Sequence, residues 1–134
     1  MQKIIKGKNL YLKLESESQG FICTKGWYYR IFLYNGEVVG RIELHPNDSS
    51  EYITEGNIGY FIYEFDRGHG YAKEASEVLL KYAYDYLGMK NIRVTMLPDN
   101  EASKHIAESL GGTYIEYAKV PKNSKLYGTI EGVL

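Results

Sequence analysis

The 134-residue chain has one cysteine, Cys23, which excludes a disulfide framework and fits a reducing compartment. The protein is therefore expected in the cytoplasm. A lone cysteine reads first as a small apolar filler and only second as a nucleophile. Long hydrophobic runs are also missing. No stretch approaches the ~18 apolar residues of a membrane span, and no apolar core follows the start Met1-Gln2-Lys3-Ile4-Ile5-Lys6. Neither a membrane partner nor a secretory signal is expected. An excess of one charge is lacking too. Lys and Arg total 16 against 17 Asp and Glu, a formal net charge of -1, which gives no ground for a nucleic-acid partner. Repeats and low-complexity tracts are absent, and the length fits one domain over residues 1–134.

Tyrosine is plentiful, with 14 against four phenylalanines. Tyr favours half-buried sheet positions where the phenol end stays wet. Without a basic stripe, a base-stacking surface is the weaker reading of these rings.

The first half reads as strands. Leu10, Leu12 and Leu14 alternate with Tyr11 and Lys13. Residues Glu15 to Gly26 are polar and glycine-containing and read as a connection. Trp27 to Tyr34 is a second strand, and Asn35-Gly36 predicts a two-residue type I′ hairpin turn. The return strand, Glu37 to His45, would turn Val38, Ile42 and Leu44 to a core and Arg41, Glu43 and His45 away from it. Asn57 to Tyr63 is a fourth strand, apolar on both faces and so expected in the middle of a sheet.

The second half alternates. Gly70 to Leu87 carries Ala72, Ala75, Leu79, Ala83, Tyr86 and Leu87 at helical spacing, and Gly88 ends it. Asn91 to Leu97 is a fifth strand. Asn100 caps a second helix with Ala102, Ile106 and Leu110 inward, ended by Gly111-Gly112. Two more strands are expected near Thr113–Lys119 and Lys125–Glu131. The class is α/β, a mixed sheet with helices on its faces.

Asp66-Arg67-Gly68-His69-Gly70-Tyr71-Ala72 joins a strand to a helix N-terminus, where unpaired N–H groups and the dipole favour an anion. Glycines let the backbone approach a phosphate closely. A plain glycine turn is the bland alternative. The P-loop needs Lys-Ser or Lys-Thr after its last glycine, where Tyr71-Ala72 stands. The dinucleotide fingerprint needs a small residue where Lys73 stands.

Arg67, Gly70 and Ala72 match Gln/Arg-x-x-Gly-x-Gly/Ala, the pyrophosphate loop of the GNAT N-acetyltransferases. With Asn57-Ile-Gly-Tyr-Phe-Ile-Tyr63 before it, and Asn100-Glu-Ala-Ser103 and Leu110-Gly-Gly112 after it, residues 36–119 resemble that family. Within it they look nearest the branch that acetylates ribosomal-protein N-termini. The resemblance implies a mostly antiparallel sheet whose fourth and fifth strands splay, with acetyl-coenzyme A as co-substrate in the gap and no metal. It implies coenzyme contacts at Phe61, Ile62, Tyr63, Arg67, Gly68, His69, Gly70, Tyr71 and Ala72, and at Asn100 and Ser103. The last two also read as an N-cap and its N3 position.

Three departures stand out. The family's helix pair between its first two strands has no counterpart, so the acceptor cleft is open or is completed by a second subunit in a homodimer. Asn57 stands where some members carry a base glutamate, and Ala107 where many carry an acid tyrosine. An alkyl ammonium must lose a proton before it attacks, so a base is needed. Glu55, on the same strand face as Asn57 if the strand extends that far, is the first candidate; His45 and Glu43 lie on the polar face of the third strand, and His45 is the next. Six carboxylates and no Lys or Arg between Ile42 and Asp66 suggest a cationic amine, small or peptidic. The expected activity is acetyl transfer to an amine. A non-catalytic acyl-coenzyme A-binding module is the rival, and a nucleotide-binding domain the third reading.

Overall fold

The computed structural model describes residues 2–18, 26–46, 57–89, 92–94, 96 and 99–112. Five strands, β1 (Ile4–Lys6), β2 (Leu10–Ser18), β3 (Gly26–Leu33), β4 (Val38–Leu44) and β5 (Ile58–Ile62), form one antiparallel sheet in chain order. Two helices follow, α1 (Tyr71–Tyr86) and α2 (Glu101–Ser109). The α/β class and the antiparallel sheet are as expected. The edge strand β1 is a feature that three residues are too few to reveal by periodicity. Expected strands at 113–119 and 125–131, and residues 91, 95 and 97 of that at 91–97, lie outside the described residues. Val94 makes a single parallel bridge to Ile58.

One sheet face carries the core. Leu10, Leu12, Tyr29, Ile31, Val39, Ile42 and Leu44 pack with Ile58 and Ile62 against Ala72, Ala75, Leu79 and Ala83 of α1. Burying a large aliphatic side chain contributes about 1.5–3 kcal/mol, so this seam sets where α1, and hence its N-terminus, must lie.

Several expectations change in detail. Strand β2 continues through Glu15 to Ser18, so the connection to β3 shrinks to residues 19–25. The β3–β4 turn is a three-residue loop. The Gly36 N–H donates to the Leu33 carbonyl and the Leu33 N–H to the Glu37 carbonyl, with Gly36 at φ +92° and no positive φ at Asn35. The extra residue at Val39 is a bulge, because Phe32 faces Val38 while Ile31 faces Gly40. Strand parity shifts there, so Val39 is the fully buried residue instead of Val38. Strand β5 is buried on one face only. Phe61 and Tyr63 are exposed on the other, where Arg41 and Arg67 lie 5.7 and 5.4 Å from the Phe61 ring centroid. Tyr86 is 74% exposed and stacks on the buried Tyr82 instead of reaching the sheet. On α2, Ala102 points outward and the inner stripe is Ser103, Ile106, Ala107 and Leu110.

The tyrosines act as clasps. The buried Tyr29 hydroxyl donates to the Gln2 carbonyl at 2.8 Å, and the Gln2 N–H donates to the Tyr82 hydroxyl at 2.9 Å. Burial pushes the Tyr29 phenol above its ordinary pKa, with Tyr82 and Glu17 adding to the effect. A raised acid pKa favours the neutral phenol, so its stabilisation is complete below about pH 10 and is lost as the pH rises past the unfolded-state value. Tyr29→Phe is expected to cost about 1 kcal/mol in urea melts at pH 7 and to flatten the fall of stability above pH 10.

Candidate functional site

Strand β5 runs into a single 3-10 turn, Glu64–Asp66, and then into the glycine loop. Gly68 and Gly70 sit at φ +86° and +79°, the left-handed region that other residues enter only with strain. A Cβ at either would meet nothing within 4 Å, so the space beside both is open. Gly70 is the N-cap of α1 and supplies no side-chain cap. The first N–H groups of α1 have no intrahelical acceptor, as at any helix start. The Arg67 Nε donates to the Ile62 carbonyl at 3.0 Å and folds the loop back on the strand. His69 stacks on Tyr71 at 5.3 Å. Arg67, Gly68, His69, Gly70, Tyr71 and Ala72 thus form one continuous rim around an uncapped helix start.

The pairing of β5 with β4 decides which of its backbone groups are open. The Tyr63 N–H donates to Val39, and the Phe61 carbonyl lies against Gly40. Odd-numbered residues therefore bond to β4, while Tyr60 and Ile62 turn their N–H and C=O groups to the opposite edge. Of the span Phe61–Tyr63, it is Ile62 whose backbone faces the side a strand-like ligand would occupy, although its carbonyl already accepts from Arg67 Nε.

That edge is held at one point by Asn57. The Asn57 N–H donates to the Arg93 carbonyl and the Asn57 carbonyl accepts from the His45 N–H, both at 2.7 Å. Its side-chain Nδ2 donates to the His45 carbonyl at 2.7 Å and its Oδ1 accepts from the Arg93 N–H at 2.8 Å. Asn57 is 6% exposed. It ties β4, β5 and the 92–94 segment together, and beyond the Ile58–Val94 bridge no further pairing of these segments appears among the described residues. An apolar pocket opens there between Tyr60, Ser76, Val94, Ser103, Ile106 and Ala107. The buried Ser76 Oγ has no hydrogen-bond partner among the described residues, and buried hydroxyls rarely stay that way.

Helix α2 closes the far side. The Asn100 Oδ1 accepts from the Ser103 N–H at 3.1 Å, so Asn100 is an N-cap, and the Tyr60 hydroxyl donates to Ser103 Oγ at 2.8 Å. Ser103 therefore stands across the pocket from β5, and Asn100 is exposed at the helix start. Sequence reading missed Tyr60, Ser76 and the clamp role of Asn57. The pattern Asn-Ile-Gly-Tyr marks the strand but not which atoms meet across it.

His45 lies on the sheet face away from the helices, as its parity predicts, yet it is buried against Tyr28 with its ring edge-on at 5.7 Å. Its Nε2 is 3.4 Å from the Glu43 carboxylate. Glu55 lies outside the described residues. No group of three or more His, Cys, Asp or Glu among the described residues could hold a metal ion, and no helix among them is long and apolar enough to cross a membrane.

A sequence model of the acetyltransferase (GNAT) domain matches residues 8–113. The chain belongs to the GNAT acetyltransferase family. Over 79 residues it is 32% identical to the Bacillus subtilis (strain 168) protein named "Putative ribosomal N-acetyltransferase YdaF", an alignment covering 59% of this chain and 42% of that one. The match thus spans less than half of that relative's length. The GNAT-family acetyltransferase from Bacillus anthracis shares the fold with a TM-score of 0.72 at 19% identity, over 97% of this chain and 93% of that one. The ribosomal L7/L12 alpha-N-protein acetyltransferase RimL, solved with coenzyme A, does so at 0.70 and 17% identity, over 97% and 94%.

Proposed function

We propose that this protein transfers an acetyl group from acetyl-coenzyme A to a primary amine by direct attack, with no covalent enzyme intermediate. The observation that carries the reading is the uncapped start of α1, framed by Gly68 and Gly70 in left-handed conformation with open space beside both. A pyrophosphate suits that rim of N–H donors. The pantetheine arm would run along the open edge at Tyr60 and Ile62 as an added strand. Its amides would meet backbone groups there, and the thioester would reach the wedge above Asn57. A backbone N–H at that edge would face the carbonyl oxygen as charge develops on it. Ser76 Oγ and the Tyr60–Ser103 pair are polar groups along the same path.

The acceptor side is the sheet face away from the helices. Family membership and the names of the relatives favour the α-amine of a protein N-terminus, with a cationic small amine as the alternative acceptor. Glu43, Glu64 and Asp66 on and near β4 and β5 would favour such a charge.

Two measurements test this. Acetyl-coenzyme A should raise the melting temperature, while NAD and ATP should not. At 100 times the dissociation constant the gain is about 2.7 kcal/mol. Thiol release from acetyl-coenzyme A should then depend on an added amine, across a panel of a peptide α-amine, spermidine and n-butylamine. Binding without transfer to any of them would favour a non-catalytic acyl-coenzyme A-binding module. An unchanged melting curve would remove the coenzyme reading altogether.

A further inference from the structure

We infer that Glu43 accepts the proton of the attacking amine, reaching the site across Gly59 from the neighbouring strand. This rests on the acetyltransferase reading above. An acyl transfer of this kind needs a proton acceptor, and the Asn57 carboxamide cannot be one. It is not basic, and both its polar atoms are engaged with His45 and Arg93. Among the described residues, a carboxylate lies one strand away. Glu43 faces Gly59 in the β4–β5 register, on the sheet face opposite the helices. A Cβ built on Gly59 would lie 2.8 Å from Glu43 Oε1 and 3.4 Å from its Cδ. The carboxylate therefore occupies the room that a side chain at position 59 would take. It lies over β5, one strand width, about 4.8 Å, from the open edge. Of the Glu43–His45 pair, His45 is buried while the Glu43 side chain is 40% exposed, so the carboxylate is the member an incoming amine can touch.

The surroundings suit the role. His45 Nε2 stands 3.4 Å away on the same strand, and Tyr28 lies opposite Glu43 on β3. Arg41 is two residues along β4 on the same face, turned to the Phe61 ring. Arg30 on β3 is paired with Glu15 at 2.6 Å. Gly59 contributes no side chain from β5. The step balances as follows. The ammonium gives one proton to the Glu43 carboxylate. The neutral amine attacks the thioester carbon, and the C–N bond forms as the C–S bond breaks. The second amine proton leaves with the thiolate as coenzyme A thiol, and Glu43 returns its proton to solvent.

The test compares the parent with Glu43→Gln, Glu43→Asp and Gly59→Ala. Gly59→Ala keeps every charge and displaces only the flexible end of Glu43. Acetyl-coenzyme A affinity is read by calorimetry, folding by thermal melts, and turnover by thiol release with the best amine of the panel and with hydroxylamine. Hydroxylamine is already neutral at pH 7 and needs no base before attack. Glu43→Gln and Gly59→Ala should lower kcat/KM for the alkyl or peptide amine about 10²-fold at pH 7, with Glu43→Asp in between. Coenzyme affinity and melting temperature should hold, and the loss should shrink sharply with hydroxylamine. A Glu43→Gln protein within about twofold of the parent, or one equally impaired with both nucleophiles, overturns the assignment while leaving the acetyltransferase reading intact. A parent that binds no acetyl-coenzyme A and acetylates no amine overturns both.

Discussion

Gly70→Val is expected to abolish the rise in melting temperature that acetyl-coenzyme A gives the parent, whereas Gly88→Val, at the other end of the same helix, leaves it intact. Both glycines lie in the left-handed region, at φ +79° and +68°, and neither has a neighbour within 4 Å of the place a Cβ would take. Backbone strain is therefore comparable, about 1–2 kcal/mol for each in the absence of ligand, or a few degrees of melting temperature. The difference lies in what occupies the open space. Beside Gly70 it is the approach to the first N–H groups of α1, and two β-branched methyls there would hold a pyrophosphate off its donors. Beside Gly88 it is solvent at the helix C-terminus, where the Met89 N–H returns to the Ala83 carbonyl. Differential scanning fluorimetry with and without acetyl-coenzyme A separates the two effects. Equal ligand shifts in both variants would remove the loop from the binding site.

The second large effect is at Asn57. Asn57→Leu removes the side-chain partner of the buried His45 carbonyl and of the part-buried Arg93 N–H, and a buried polar group that loses its partner costs about 1–3 kcal/mol. A combined loss of about 2–5 kcal/mol is a large part of the stability of a domain this size. Asn57→Asp is more informative because it is nearly isosteric. The carboxylate can still accept from the Arg93 N–H but faces the His45 carbonyl with no proton to donate. Burial and that carbonyl raise its folded-state pKa above the ordinary ~3.9. The neutral acid is the form that fits, so its contribution is complete below pH ~3.9 and is lost as the pH rises through the folded-state value. Relative to the parent, Asn57→Asp should be far less stable at pH 7 and should close part of the gap near pH 4. Urea melts at the two pH values measure it. A gap independent of pH would mean that the Nδ2 bond to His45 is not what stabilises the junction.

The sequence by itself determined the class of fold, the order of the strands from Leu10 to Ile62 with the two helices after them, and the glycine loop at the start of α1. Each depends on local chemistry. Leucines at spacing two make β2, alanines and leucines at helical spacing make the inner face of α1, and Gly68 and Gly70 permit left-handed backbone at a helix start. Such signals sit within a few residues of one another and survive without knowledge of the rest of the chain. Where local rules missed, a long-range contact had intervened. The bulge at Val39 buried that residue in place of Val38 while Ile42 and Leu44 kept their expected face, and Tyr82 took the buried place expected of Tyr86. Phe61 became an exposed platform for two arginines.

The proposed catalytic side depends almost wholly on tertiary structure. Nothing in the run from Ile42 to His45 distinguishes Glu43 from any solvated carboxylate on a strand. Its significance arises only when β5 pairs beside it and brings Gly59, with no Cβ, beneath its carboxyl group. Likewise Asn57 reads in the sequence only as the residue standing where some family members carry a glutamate, until His45 and Arg93, 12 and 36 positions away, present a carbonyl and an N–H to the two ends of its amide. A hydrogen-bond clamp needs directional partners at about 2.9 Å, and the sheet register, not the spacing of residues along the chain, supplies them.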